Sequence, residues 1–154
     1  MKVLISEDDD PKLERLREFI QDRYKQVNIR SAGAANATLV ALRVELPDVL
    51  VLDMSLPTFE VGRGEPGGRP QDFGGLEVMD FMELEDLICP VVIVTQYEAF
   101  PLSKGESMSL DEVANKARSE HPSMFNGLIY YSSVTRSWED ELAIALETIF
   151  PQQG

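Results

Sequence analysis

The ten residues from Asp48 to Pro57, Asp-Val-Leu-Val-Leu-Asp-Met-Ser-Leu-Pro, constrain the fold more than any other stretch of the chain. Val49 to Leu52 are all apolar, the pattern of a strand covered on both faces of a parallel sheet; a strand with one wet face alternates. A single carboxylate, Asp53, closes the strand. Open α/β sheets bind ligands beyond the carboxyl ends of their strands, so an acid delivered there is a candidate for chemistry.

The rest of the chain repeats strand then helix. Lys2 to Ser6 reads as a strand, and Asp10 as the N-cap of a helix with Pro11 at its first position and Leu13, Leu16, Phe19 and Ile20 as its buried stripe. Val27 to Ser31 is a strand and Ala34 to Leu46 a helix closed by Pro47. Leu76 to Glu85 is a helix with Met79 and Met82 inward, followed by the strand Val91 to Thr95. Leu110 to Glu120 is helical, Gly127 to Tyr131 is the fifth strand, and Ser137 caps a last helix striped by Leu142, Leu146 and Ile149. The pattern predicts an α/β, doubly wound (βα)5 fold of the flavodoxin-like kind, a parallel five-stranded sheet with helices on both faces. A chain of 154 residues fits it as one domain, 1–154. Two stretches stand outside the pattern. Residues 58–75, dense in Gly and Pro and carrying Arg63 and Arg69, read as an inserted loop that is either mobile or a lid beside Asp53. Gln96 to Ser109 reads as a second long loop.

Charge and composition narrow the function. The net charge of −13 argues against direct contact with nucleic acid, which needs clustered Lys and Arg. The single cysteine, Cys89, rules out an internal disulfide and reads as a small buried hydrophobe. No run reaches the roughly 18–20 apolar residues of a membrane span, and the N-terminus opens on a strand, so the expectation is a cytoplasmic protein with no membrane insertion. His121, before Pro122, is a lone histidine and makes no metal site, and Trp138 reads as a packing anchor.

Against that background the acids after the first strand stand out. Glu7, Asp8, Asp9 and Asp10 are adjacent, and four such charges need solvent, a helix N-terminus or a cation. With Asp10 at the cap, Glu7 and Asp8 fall at the same sheet edge as Asp53. Three carboxylates then face one crevice, and Thr95 ends its strand at that edge too. The glycines of 58–75 match no phosphate-cradling loop.

Taken together these residues resemble the receiver domain of two-component response regulators. Val-Leu-Ile-Ser-Glu-Asp-Asp-Asp-Pro-Lys-Leu is similar to the family's first strand, acidic pair and first helix, and Leu-Asp-Met-Ser-Leu-Pro to its phosphoacceptor motif. Gly-Gly-Leu-Glu-Val-Met resembles the start of its third helix, and Pro-Val-Val-Ile-Val-Thr its fourth strand with the switch hydroxyl. The resemblance implies Asp53 as phosphoacceptor; Glu7, Asp8, Asp53 and the Ser55 backbone carbonyl as the Mg²⁺ site; and Thr95, with Tyr130 or Tyr131 at the aromatic position, as switch residues. It also implies a histidine kinase or phosphotransfer protein as donor and a downstream protein target. The acidic run has one Asp more than usual: counting from the strand gives Glu7 and Asp8, counting back from Pro11 gives Asp8 and Asp9, and the strand fixes the edge.

The chain departs from the family in its two expanded loops and in one missing charge. The family's phosphate-pairing Lys after the fifth strand has no counterpart in Tyr130-Tyr131-Ser132-Ser133-Val134-Thr135. Lys104 or Arg136, or Arg63 or Arg69 in the inserted loop, are the candidate substitutes. Three readings follow: an atypical stand-alone receiver phosphorylated on Asp53, not an enzyme beyond its own phosphorylation and dephosphorylation; a pseudo-receiver that works by protein contact without phosphorylation; and, third, a phosphatase with an Asp nucleophile. The last usually has a second acid two residues after the nucleophile, where this chain has Ser55.

Overall fold

Apolar runs with no alternation become the centre of the sheet. The strands β1 (Lys2–Ser6), β3 (Val49–Leu52) and β4 (Val91–Thr95) are buried at every position but Lys2. They pair in parallel with β2 (Asn28–Ala32) and β7 (Phe125–Tyr130) at the edges, in the order β2-β1-β3-β4-β7. The computed structural model describes residues 1–58, 74–101 and 105–151.

Successive strand residues feed two cores. Val3, Ile5, Val49, Val51, Val92 and Val94 pack against α1 (Asp10–Arg23) and α5 (Ser137–Ile149). Their neighbours Leu4, Leu50, Leu52, Val91 and Ile93 face α2 (Ala35–Val44), α3 (Gly74–Leu84) and α4 (Leu110–Glu120). Each fully buried Leu, Ile or Met here contributes about 1.5–3 kcal/mol relative to an exposed one. The doubly wound fold expected from the sequence is therefore observed. Along the outer edge of the first core, α1 is braced on α5 by an edge-on contact of Phe19 with Trp138 at 5.5 Å and by the Arg23–Glu147 ion pair.

Several boundaries differ from the sequence reading. The N-cap of α1 is Asp9, whose carboxylate accepts from the Lys12 N–H at 3.1 Å, so Asp10 is the first helical residue and Pro11 the second. Pro11 then occupies one of the positions whose N–H has no helical partner. Ser137 is the first residue of α5; the N-cap is Arg136, whose side chain makes no cap bond. Helix α3 starts at Gly74 rather than Leu76. The stretch expected to be a second long loop contains an antiparallel hairpin, β5 (Ala99–Pro101) with β6 (Ser107–Ser109), anchored by the buried Phe100, and Ser109 caps α4 through a capping box with Glu112. Of the inserted loop, 59–73, with Arg63 and Arg69, lie outside the described residues, as does Lys104. No helix among the described residues is long and apolar enough to cross a membrane.

Candidate functional site

The strand order reverses between β1 and β3, since β1 hands the chain outward to β2 while β3 carries it to β4. That switch point is where doubly wound sheets open a crevice. Ser6 pairs with Leu52, so the two strands end level, and the Asp53 N–H donates to the Ser6 carbonyl at 2.9 Å. Glu7, Asp8 and Asp53 are thereby brought together, with ligand oxygens all within 4.8 Å of one another. Asp9 turns away to cap α1, so the strand count and not the proline count describes the crevice.

The three acids sit in different surroundings. Asp53 and Glu7 are buried and Asp8 is exposed. Glu7 Oε2 accepts from the N–H groups of Asp8 and Asp9, both at 3.1 Å, which fixes its carboxylate beneath the helix start. Burial, opposed by Lys12 and reinforced by Asp53, pushes the Glu7 carboxyl up to about 8. Burial and the Asp53 charge raise Asp8 as well. Three carboxyl groups converging on one point make an all-oxygen donor set, and that suits a hard divalent cation. Ser55 is buried in the turn after Asp53, at the start of the stretch that leads to α3. A cleft of about 420 Å³ reaches Glu7 and Asp8, with Asp10, Ser31, Ala32 and Pro57 among its walls.

The cation in this site was not among the sequence candidates. Lys12, in the first turn of α1, is 1% exposed. Its Nζ lies 2.5 Å from Glu7 Oε1 and 3.3 Å from Asp53 Oδ1, and it donates to the Val94 carbonyl at 2.9 Å. Burial lowers the Lys12 value, but the carboxylates of Asp53 and Glu7 outweigh it and the ammonium is held above its ordinary value. Helical side chains lean toward the N-terminus, so a Lys in the first turn overhangs the strand ends. A signal existed: Lys12, Leu16 and Ile20 step by four and are the buried residues of α1. Arg136, by contrast, has its side chain 89% exposed and pairs with Glu139 at 3.9 Å.

The switch candidates are near neighbours. Thr95 and Tyr130 pair across β4 and β7; Thr95 is fully buried and its Oγ1 accepts from the Tyr97 N–H at 3.2 Å, while Tyr130 is half-buried. Tyr131 points to the other face, with its ring centroid 5.7 Å from Lys12 Nζ and its hydroxyl accepting from Arg15 Nη1 at 2.8 Å. Tyr97, Tyr130 and Tyr131 share a second cleft of about 530 Å³ with Asp9, Arg15 and Ser133. Trp138 is an anchor as expected, 5.1 Å from Tyr131. His121 follows α4 as its C-cap, is buried, and reaches Asp80 at 2.8 Å and Glu83 at 3.1 Å, pinning α4 to α3.

No protein-family model matches the chain. It is 27% identical over 149 residues to the Detocs response regulatory protein DtcB of Enterobacter cloacae, covering 92% of this chain and 95% of that one. Among solved structures, the signal receiver domain of a LuxO repressor protein from Vibrio parahaemolyticus superposes with a TM-score of 0.64 at 16% identity, over 96% of this chain and 88% of that one. A CheY-like receiver domain protein from Methanospirillum hungatei gives 0.61 at 18% identity, over 96% and 92%. The structures show the fold, and the match to DtcB runs through nearly the whole of both chains. The order of strands, the acids at the switch point and this likeness lead to one conclusion: the chain has the fold of response-regulator receiver domains and is similar, over nearly its whole length, to a response regulatory protein.

Proposed function

We propose that the chain accepts a phosphoryl group on Asp53 from a histidine kinase or phosphotransfer protein in the cytoplasm, and passes the signal to a downstream protein by contact. The observation that carries this reading is the convergence of Glu7, Asp8 and Asp53 at the switch point, with ligand oxygens within 4.8 Å. An Asp53 oxygen attacks phosphorus, the bond from phosphorus to the donor atom breaks, and the donor leaves with the electron pair. The product is an acyl phosphate on Asp53. Glu7, Asp8, Asp53 and the Ser55 carbonyl are the groups to hold Mg²⁺, which when bound supplies positive charge to the transferring phosphoryl group. Thr95 and Tyr130, at the ends of the next strands, are placed to sense the product.

Intact-mass measurement with acetyl phosphate tests this. The wild type should gain one phosphoryl group only with Mg²⁺, and Asp53→Asn should gain none. One observation favours a second reading, an interaction module without phosphorylation: Lys12 pairs with both buried acids. Failure of the wild type to load from acetyl phosphate and from its natural kinase would establish that reading instead.

A further inference from the structure

We infer that Lys12, supplied by α1, is the cation that faces the phosphoryl group on Asp53. The inference rests on the phosphoacceptor reading above and assigns the one charge that the end of β7 lacks. Among the described residues Lys12 is the cation paired with Asp53. Its ammonium donates to Asp53 Oδ1 and the Val94 carbonyl and forms an ion pair with Glu7. The acceptors belong to the ends of β1, β3 and β4, so one side chain ties together three of the strand ends that border the crevice.

The surroundings hold the ammonium in place. The cap bond from the Lys12 N–H to Asp9 fixes the root of the side chain. Tyr131 walls one side with its ring, and Arg15 holds the Tyr131 hydroxyl. The residues after Tyr131, Ser132 and Ser133, bring no charge of their own. An aromatic face thus stands toward Lys12 from the strand on which the family carries its lysine.

The role follows from where charge moves. When an Asp53 oxygen bonds to phosphorus the carboxylate loses its charge, and the phosphoryl oxygens carry negative charge farther from β3. Lys12 exchanges its 3.3 Å contact with Asp53 Oδ1 for a phosphoryl oxygen while keeping Glu7. A preset ammonium at that point favours the transfer and the product together. A lysine that only offset buried acids would have no such second position.

The test compares wild type, Lys12→Met and the double variant Lys12→Met/Ser133→Lys, all with saturating Mg²⁺. Lys12→Met should slow loading from acetyl phosphate by about 10²–10³-fold and weaken beryllofluoride binding at least about tenfold, with Mg²⁺ binding alone unchanged or tighter. The double variant should recover part of both. A Lys12→Met protein that melts earlier yet loads and binds beryllofluoride like wild type would overturn the inference and leave the phosphoacceptor reading intact. A wild type that binds Mg²⁺ but neither loads nor binds beryllofluoride would overturn both. Should Lys12→Met fail to fold, the Lys12 ammonium resonance of the wild type decides: it should shift when beryllofluoride is added with Mg²⁺, and an unmoved resonance in a protein that has bound it would overturn the inference.

Discussion

Gly75 lies so close to Asp53 that a Cβ placed on it would meet the Asp53 carbonyl oxygen at 2.7 Å and the Met54 Cα at 3.0 Å. The Gly75 N–H also donates to the Met54 carbonyl at 2.9 Å, so the start of α3 is built against the turn that carries the phosphoacceptor candidate. Gly75→Ala should therefore push that turn outward. We expect a loss of about 1–3 kcal/mol, as for other overpacked sites, together with weaker Mg²⁺ binding. Urea unfolding and calorimetric Mg²⁺ titration measure the two effects, and an alanine variant equal to wild type in both would show that α3 does not hold the turn.

The site is also braced from beneath by a hydroxyl pair. Thr38 Oγ1, fully buried in α2, lies 2.8 Å from Ser6 Oγ and 2.8 Å from the Ala34 carbonyl. Thr38→Val keeps the shape and leaves the Ser6 hydroxyl without that partner, which should cost about 1–3 kcal/mol. Simultaneous Ser6→Ala should return part of the loss, since the stranded group is then gone. A double variant no more stable than Thr38→Val would refute the pairing.

Cys89 gives a pH prediction. Burial pushes its thiol up to about 12, against an unfolded value near 9.0. A group raised by folding stabilises fully below its unfolded value, and the contribution is lost as pH rises from about 9 to about 12. The unfolding free energy of the wild type, from urea titrations, should fall faster over that range than that of Cys89→Ala, by up to about 1.4 kcal/mol per pH unit. Near pH 8 the buried thiol stays protonated and away from solvent. Alkylation should therefore track unfolding, and prompt labelling of the native protein would contradict the assignment.

Among the described residues, Phe100 is the buried anchor of the hairpin, with Met108 partly buried against the same core. Phe100 is 1% exposed, stands in the core beside Val113 and Ala117, and meets Tyr97 edge-on at 6.4 Å. Phe100→Ala should release β5 and β6 while leaving the five-stranded sheet folded, because the hairpin forms its own separate sheet. Hydrogen exchange should then rise at Phe100 and Met108 and stay unchanged at Val92 and Val94. Equal loss of protection in β4 would mean that the hairpin and the sheet unfold together.

Much of this was legible in the chain because burial repeats. The apolar runs of β3 and β4 and the stripe of Leu16 and Ile20 declare their partners locally, and Glu7, Asp8 and Asp53 are placed by strand ends alone. The hairpin was not legible, since Ala-Phe-Pro and Ser-Met-Ser offer a single apolar side chain apiece at the strand centre and three residues are too few to show a period. The caps were misplaced by one residue because Asp9 and Asp10 are equally good caps until the geometry of α1 chooses. Lys12 was missed for a different reason. A lysine in a polar first turn reads as solvated, and only the meeting of β1, β3 and β4 beneath it supplies acceptors that make its burial tolerable.

The brace between α1 and α5 has a consequence of its own. The helix whose first turn reaches Asp53 is fastened at Phe19 to Trp138 and at Arg23 to Glu147, so a movement at one end is shared with a second helix on the outer surface. Thermodynamic reciprocity then works in both directions. Under the phosphoacceptor reading, any protein that grips these two helices more tightly in one arrangement than in the other must change the equilibrium for a phosphoryl group or its mimic in the crevice by the same factor by which that group changes its own hold. Through this brace, a protein that held the α1–α5 face would also act on the crevice at the other end of α1.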